Sequence, residues 1–149
     1  MTKAESKVID FIKKHILLFL LVAVTIIAIF LRVCGMDFQS DDFNSFLNSW
    51  WSIIKLNDFT GLATQVGNYN IPYQIIIYFM TLLPLNALYA YKIVSIIFDF
   101  VLAISTAMLV YSFANNNRRL KAILTYSAVL LSATVIFNSS FWAQCDSIY

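Results

Sequence analysis

Residues 71–91, IPYQIIIYFMTLLPLNALYAY, decide the fold: the side of the membrane reached by everything after them depends on whether they cross it. The stretch is apolar enough to span, yet Pro72 opens it and Pro84 and Asn86 interrupt it. Proline removes a backbone donor and its ring clashes with the preceding helical turn. The uninterrupted apolar part is only about half of the ~20 residues that a bilayer core requires.

The flanking segments supply the parity. Ile16 to Leu31 is apolar but for Thr25. At 1.5 Å per residue it covers about 24 Å, and Lys14 and Arg32 can snorkel from its ends. Lys3, Lys7, Lys13 and Lys14 place the N-terminus in the cytoplasm by the positive-inside rule. The apolar run is too long for a signal-peptide core and no small-residue cleavage site follows, so it reads as an uncleaved anchor. A second full-length span follows residue 91, then the basic turn NNNRRLK (115–121), then a third apolar run.

If Arg118, Arg119 and Lys121 are also cytoplasmic, an even number of crossings separates them from the N-terminus. The expected fold is therefore an all-α membrane protein forming a single domain over 1–149. It has three transmembrane helices, at about 15–34, 92–114 and 120–138. A re-entrant or juxtamembrane helix at about 72–86 stays on the outer side, tolerable where protein buries it. Four transmembrane helices is the alternative. It would carry Asp146 to the cytoplasmic face, away from Asp41 and Asp42.

Composition fits this reading. Of 149 residues, 60% are hydrophobic and 12% charged, against about a quarter charged in soluble domains. A net charge of +2, with no Lys/Arg run interleaved with aromatics, gives no footprint for nucleic acid. His15 is the only histidine and follows Lys13 and Lys14 at a helix start, which leaves little room for a Ser-His-Asp triad or a His-based zinc site. Cys34 and Cys145 form neither a disulfide framework nor a metal pattern.

The first outer loop is acidic, with Asp37, Asp41, Asp42 and Asp58 against Lys55 alone. Within it Phe43, Phe46, Leu47, Trp50, Ile53 and Ile54 repeat with helical period, with Asn44, Ser45, Asn48, Ser49 and Ser52 between them. This predicts an interfacial amphipathic helix over about 43–57, with Trp50 and Trp51 at headgroup level and Ser40 or Asp41 as its cap.

Three outer patches carry the candidate chemistry. SDDF (40–43) offers Asp41 and Asp42, GNYNIPY (67–73) offers Tyr69, Asn70 and Tyr73, and the segment from residue 138 offers Trp142, Gln144 and Asp146. Carboxylates and amides hydrogen-bond hydroxyl groups and aromatic faces stack on C–H surfaces, so the set suits a sugar. A carboxylate can also take a proton from an attacking hydroxyl. Ordinary loop polarity with helix-capping acids explains the same residues without a site. Lys92 and Asp99, seven residues apart, share a helix face about two turns apart. Lys92 would meet a phosphate at the outer end of its span. Asp99 lies several residues inside the bilayer, where an acid is a candidate functional group or is satisfied by neighbouring hydroxyls.

A basic N-terminus, one span, an outer S-x-D-[FY], a Trp-containing amphipathic helix, a G-x-Y-N-x-P-Y turn and a later W-x-Q-C-D-S-I-Y together resemble the GT-C superfamily of integral-membrane glycosyltransferases. Within it they are most similar to the bacterial mannosyltransferase-like group related to the GPI mannosyltransferase. The resemblance implies transfer of a hexose such as mannose from a polyprenyl-phosphate-linked donor to an acceptor hydroxyl at the outer face of the cell membrane. It places the catalytic base on Asp42. It assigns substrate-binding roles to Asp41, Tyr69, Asn70, Tyr73, Lys92, Trp142, Gln144 and Asp146, with Lys92 near the lipid phosphate. It implies membrane lipid as a partner, no cofactor and no protein-held metal site, and leaves open whether a divalent metal takes part. Such enzymes have a module of about seven spans, so the chain is expected to hold the N-terminal part, or a partner chain completes it. A non-catalytic membrane scaffold is the alternative, and a transporter piece with Asp99 on a proton path is a third reading.

Overall fold

The computed structural model describes residues 2–148, without the side chains of Lys3 and Ala4. Tyr149, the last residue of the W-x-Q-C-D-S-I-Y motif, lies outside the described residues. The chain is all-helical, with no strand among the described residues. Helix α1 (Lys3–Val33) opens on a capping box, in which the Thr2 hydroxyl accepts from the Glu5 amide and the Glu5 carboxylate accepts from the Thr2 amide. Thus α1 takes in the basic N-terminal residues as well as the apolar run. It and α4 (Ala87–Phe113) are long and apolar enough to cross a membrane. Ile26, Phe30 and Val33 of α1 stand exposed among the apolar residues, as a lipid-facing helix requires.

The stretch that decided the sequence reading is split. Helix α3 (Ile71–Thr81) has 11 residues, with Pro72 in its first turn where the missing amide is not needed. It is about 16 Å long at 1.5 Å per residue, half a bilayer core. The chain then turns, and Asn86, expected to interrupt a helix, instead caps α4 by accepting from the Tyr89 amide at 2.9 Å. The short apolar helix therefore ends near residue 81 rather than 86, and the following helix starts near 87 rather than 92.

The expected helix over 43–57 is present, with a corrected face. It begins as a π turn, Phe43–Leu47, and continues as α2 (Asn48–Asn57). The π turn's i→i+5 bonding adds a residue to the turn, so positions four apart align. Phe43, Leu47, Trp51 and Ile54 are buried, while Phe46 and Ile53 are exposed. Ser40 is the cap, its hydroxyl accepting from the Phe43 amide at 3.1 Å. This helix packs with α3 and the first turns of α4 around Tyr73, Ile77 and Tyr91, and the Tyr91 hydroxyl donates to the Leu47 carbonyl.

The third apolar run is not one straight helix over 120–138. Helix α5 (Arg118–Leu130) and α6 (Ala133–Ile136) with the π turn Phe137–Phe141 meet at a 50° bend. Neither proline nor glycine lies at the break. Instead Arg32 donates to the Leu130 carbonyl at 3.1 Å, occupying an acceptor that a continuous helix would use internally. If the bent pair is one span, there are three candidate crossings among the described residues, otherwise two.

Arg32 is 1% exposed, not snorkelling at the interface. Its Nε and Nη2 donate to the same oxygen of Asp99 at 3.0 and 2.9 Å, and Nη1 also reaches the Ala28 carbonyl. The other Asp99 oxygen accepts from the Ser147 hydroxyl. One ion pair thus ties α1, α4, α5 and the C-terminal turn together, above a small core of Val24, Ala28, Ala103, Tyr126 and Leu130.

Candidate functional site

The three patches meet at one end of the bundle. The Asp42 carboxylate accepts from Gln144 Nε2 at 2.9 Å, and Gln144 Oε1 accepts from the Tyr69 hydroxyl at 2.8 Å. Both bonds join residues far apart in sequence, and together they fix which way the Gln144 amide faces. Ser40 adds a second tie, donating to the Trp142 carbonyl at 3.2 Å. Beside this chain lies a 300 Å³ cleft lined by Phe38, Gln39, Ser40, Asp41, Asp42 and Trp142. Asp41, Asp42 and Trp142 are all exposed, so two carboxylates and an indole face share one accessible space.

Local geometry explains the placement. Asp42 directly precedes the first π turn and Trp142 directly follows the second. Ala143, between Trp142 and Gln144, is buried with φ 58°, a left-handed conformation that costs a non-glycine residue about 1 kcal/mol or more. That twist turns Gln144 toward Asp42 while Ala143 packs inward. On the facing loop Gly67 has φ 73°, and a Cβ there would lie 2.3 Å from the Trp50 ring. Only glycine lets this loop cross Trp50 so closely, and the crossing sets Tyr69 edge-on to Trp50 at 5.2 Å.

The remaining expected residues divide. Tyr73 is 1% exposed and packs against Tyr69 with centroids 4.8 Å apart, so it backs the site rather than lining the cleft. Asn70 is exposed and starts α3, its carbonyl accepting from the Tyr73 and Gln74 amides. Asp146 is exposed, and its carboxylate accepts from Asn138 Nδ2 at 2.6 Å rather than joining the Asp42 chain directly. Lys92 departs from its reading as a cation open to phosphate. It is fully buried, and its ammonium donates to the carbonyls of Gly35, at 2.7 Å, Met36 and Phe38. All three donors are spent on the turn after α1, which leads directly into SDDF. Lys92 therefore holds the loop that carries the acids.

Sequence reading missed three contributors: Arg32, whose partner is 67 positions away, Ser40 as a bridge to the Trp142 segment, and the left-handed Ala143. Only Ser40 carried a local signal, as a helix cap. Cys145, next to Gln144, is buried and free of a disulfide, and burial pushes its thiol above the usual range. Among the described residues no three His, Cys, Asp or Glu side chains stand close enough to hold a metal ion.

Compared with known protein families, curated protein sequences and solved structures, the chain matches none.

Proposed function

We propose that the chain forms the acidic, outer-face part of a GT-C-type membrane glycosyltransferase. The observation that carries this reading is the Tyr69–Gln144–Asp42 hydrogen-bond chain beside a cleft that also presents Asp41 and Trp142. One Asp42 oxygen is held by Gln144, and the exposed carboxylate retains a second oxygen to accept a proton. In the proposed reaction the acceptor hydroxyl loses its proton to Asp42 as its oxygen bonds to the sugar's anomeric carbon. The bond from that carbon to the phosphate oxygen breaks, and polyprenyl phosphate leaves with the electron pair. Trp142 would stack on the sugar and Asp41 would bond its hydroxyls, while Asp146 and Asn70 shape the rim and Tyr73 supports Tyr69 from behind.

The proposed topology has three crossings, by α1, α4 and the bent α5–α6 pair, with α3 too short to cross. Lys7, Lys13, Lys14, Arg118, Arg119 and Lys121 then lie at the cytoplasmic end of a multi-pass protein of the cell membrane, and Asp41 and Asp42 at the outer end. The lipid-linked hexose donor comes from the membrane, and a partner chain supplies the spans that complete the module. Membranes from cells that make the native chain together with the partner that completes it are supplied with polyprenyl-phosphate-linked mannose and a hydroxyl acceptor. Asp42→Asn is expected to cut transfer about 10²- to 10⁴-fold, the range of a general base, with the melting temperature unchanged. Native-rate transfer by Asp42→Asn, as a purely docking role would give, overturns the proposal.

A further inference from the structure

A second site lies at the opposite end of the bundle, independent of the glycosyltransferase reading. Between α1, α4 and α5 runs a 440 Å³ apolar crevice lined by Leu21, Ile104, Ala107, Met108, Ala122 and Ile123. Its deep end is marked by the Thr25–Tyr126 hydrogen bond at 3.0 Å. Leu21, Tyr111, Ala122 and Ile123 also line an adjoining 450 Å³ space, so the two are continuous. That second space opens past Lys14, His15 and Arg119. Neither space is lined by an acid, and neither Lys14 nor Arg119 has a carboxylate at ion-pair distance among the described residues. Asp10, one turn before Lys14, lines neither space.

The dimensions and charges define the occupant. From Lys14 to Thr25 along α1 is about 16 Å, half of a ~30 Å hydrocarbon core and therefore the depth of one leaflet. A ligand that fits has an apolar chain one leaflet long and a negative group at its head. We infer that this crevice binds one anionic phospholipid, with one of its acyl chains between α1, α4 and α5 and its phosphate between Lys14 and Arg119. The partly apolar stems of both cations can follow the chain while their heads meet the phosphate at the interface.

The test uses the full chain in detergent, with native mass spectrometry measuring retention of phosphatidylglycerol and of phosphatidylcholine. One phosphatidylglycerol is expected to be retained in preference to phosphatidylcholine. Each cation near an anionic lipid surface is worth about fivefold in affinity, so Lys14→Ala with Arg119→Ala should weaken retention about 25-fold. The charge-conserving pair Lys14→Arg and Arg119→Lys should retain it. Ala122→Trp fills the crevice without touching the charges and should also weaken retention. All the altered charges are on exposed side chains, so helicity by circular dichroism should not change. Equal retention of the two lipids, unweakened binding by the double alanine variant or by Ala122→Trp, or equally tight binding of chain-free glycerol phosphate overturns the inference.

Discussion

Asp99 sits inside the helix bundle with an arginine against one oxygen and a serine against the other, whereas Asp42 stands exposed at the rim with one amide for company. Both are acids of an apolar, helical chain, and both looked like candidate chemistry in the sequence. Their surroundings separate them. Both oxygens of the buried Asp99 carboxylate are engaged, by Arg32 and by Ser147, in the pair that joins three helices. The Asp42 carboxylate is exposed at the edge of a cleft, with Gln144 bonded to one of its oxygens. An acid near a membrane is thus assigned by what already occupies its oxygens.

The largest expected effect tests the buried half of the comparison. Arg32→Ala alone, or Asp99→Ala alone, leaves one uncompensated buried charge and should cost about 3–5 kcal/mol of stability. Replacing both, as Arg32→Met with Asp99→Leu, should recover most of the loss, since a buried ion pair often does little better than apolar packing of similar volume. Thermal unfolding in detergent measures both, and a double-mutant cycle gives the coupling. Asp42→Asn should leave the same melting curve in place. If the double variant melted normally but lost transfer, the Arg32–Asp99 pair would belong with the chemistry, and the division between the two acids would fail.

Lys92 occupies the boundary between the two regions, and its effect should be intermediate. Lys92→Met removes the donor to three carbonyls in the turn that leads into SDDF, at a cost of about 2–3 kcal/mol by the usual penalty for unsatisfied buried groups. Limited proteolysis between residues 35 and 41 should become faster. Unchanged stability together with a specific loss of donor binding would instead favour a direct role at the phosphate.

How much of this could be read from the sequence follows from the range of the interactions. The Ser40 cap, the helix after it and the shortness of the 71–91 apolar stretch are local, and their residues signal them directly. Asn86 was equally local yet read as an interruption, because a capping side chain before a helix and a polar defect within one look alike until the start of the helix is known. The bend after Leu130 left no local trace, since its cause is a guanidinium reaching from α1. The buried face of α2 was shifted by a π turn, which hydrophobic periodicity at 3.6 residues cannot register. At the site, residue types singled out three patches that the fold brings to one end of the bundle. Which of their members touch depended on long-range bonds and on backbone conformations at Gly67 and Ala143 that composition does not encode.

The smallest effect sharpens the rim itself. Tyr69→Phe removes the hydroxyl that orients Gln144 but keeps the ring packed edge-on to Trp50 and against Tyr73. The bond to Gln144 is partly buried and neutral, and its loss should cost about 0.5–1.5 kcal/mol of stability. Gln144→Leu removes both bonds at once, and the Asp42 carboxylate then has no fixed donor. If the chain's purpose is to hold Asp42 in place, both variants should lower transfer by similar factors, about tenfold or less, and the double variant should do no more than Gln144→Leu alone. Additive losses would mean that Tyr69 and Gln144 act on the substrate separately, each through its own contact, and that the hydrogen-bond chain is a consequence of packing rather than the device that aims the acid.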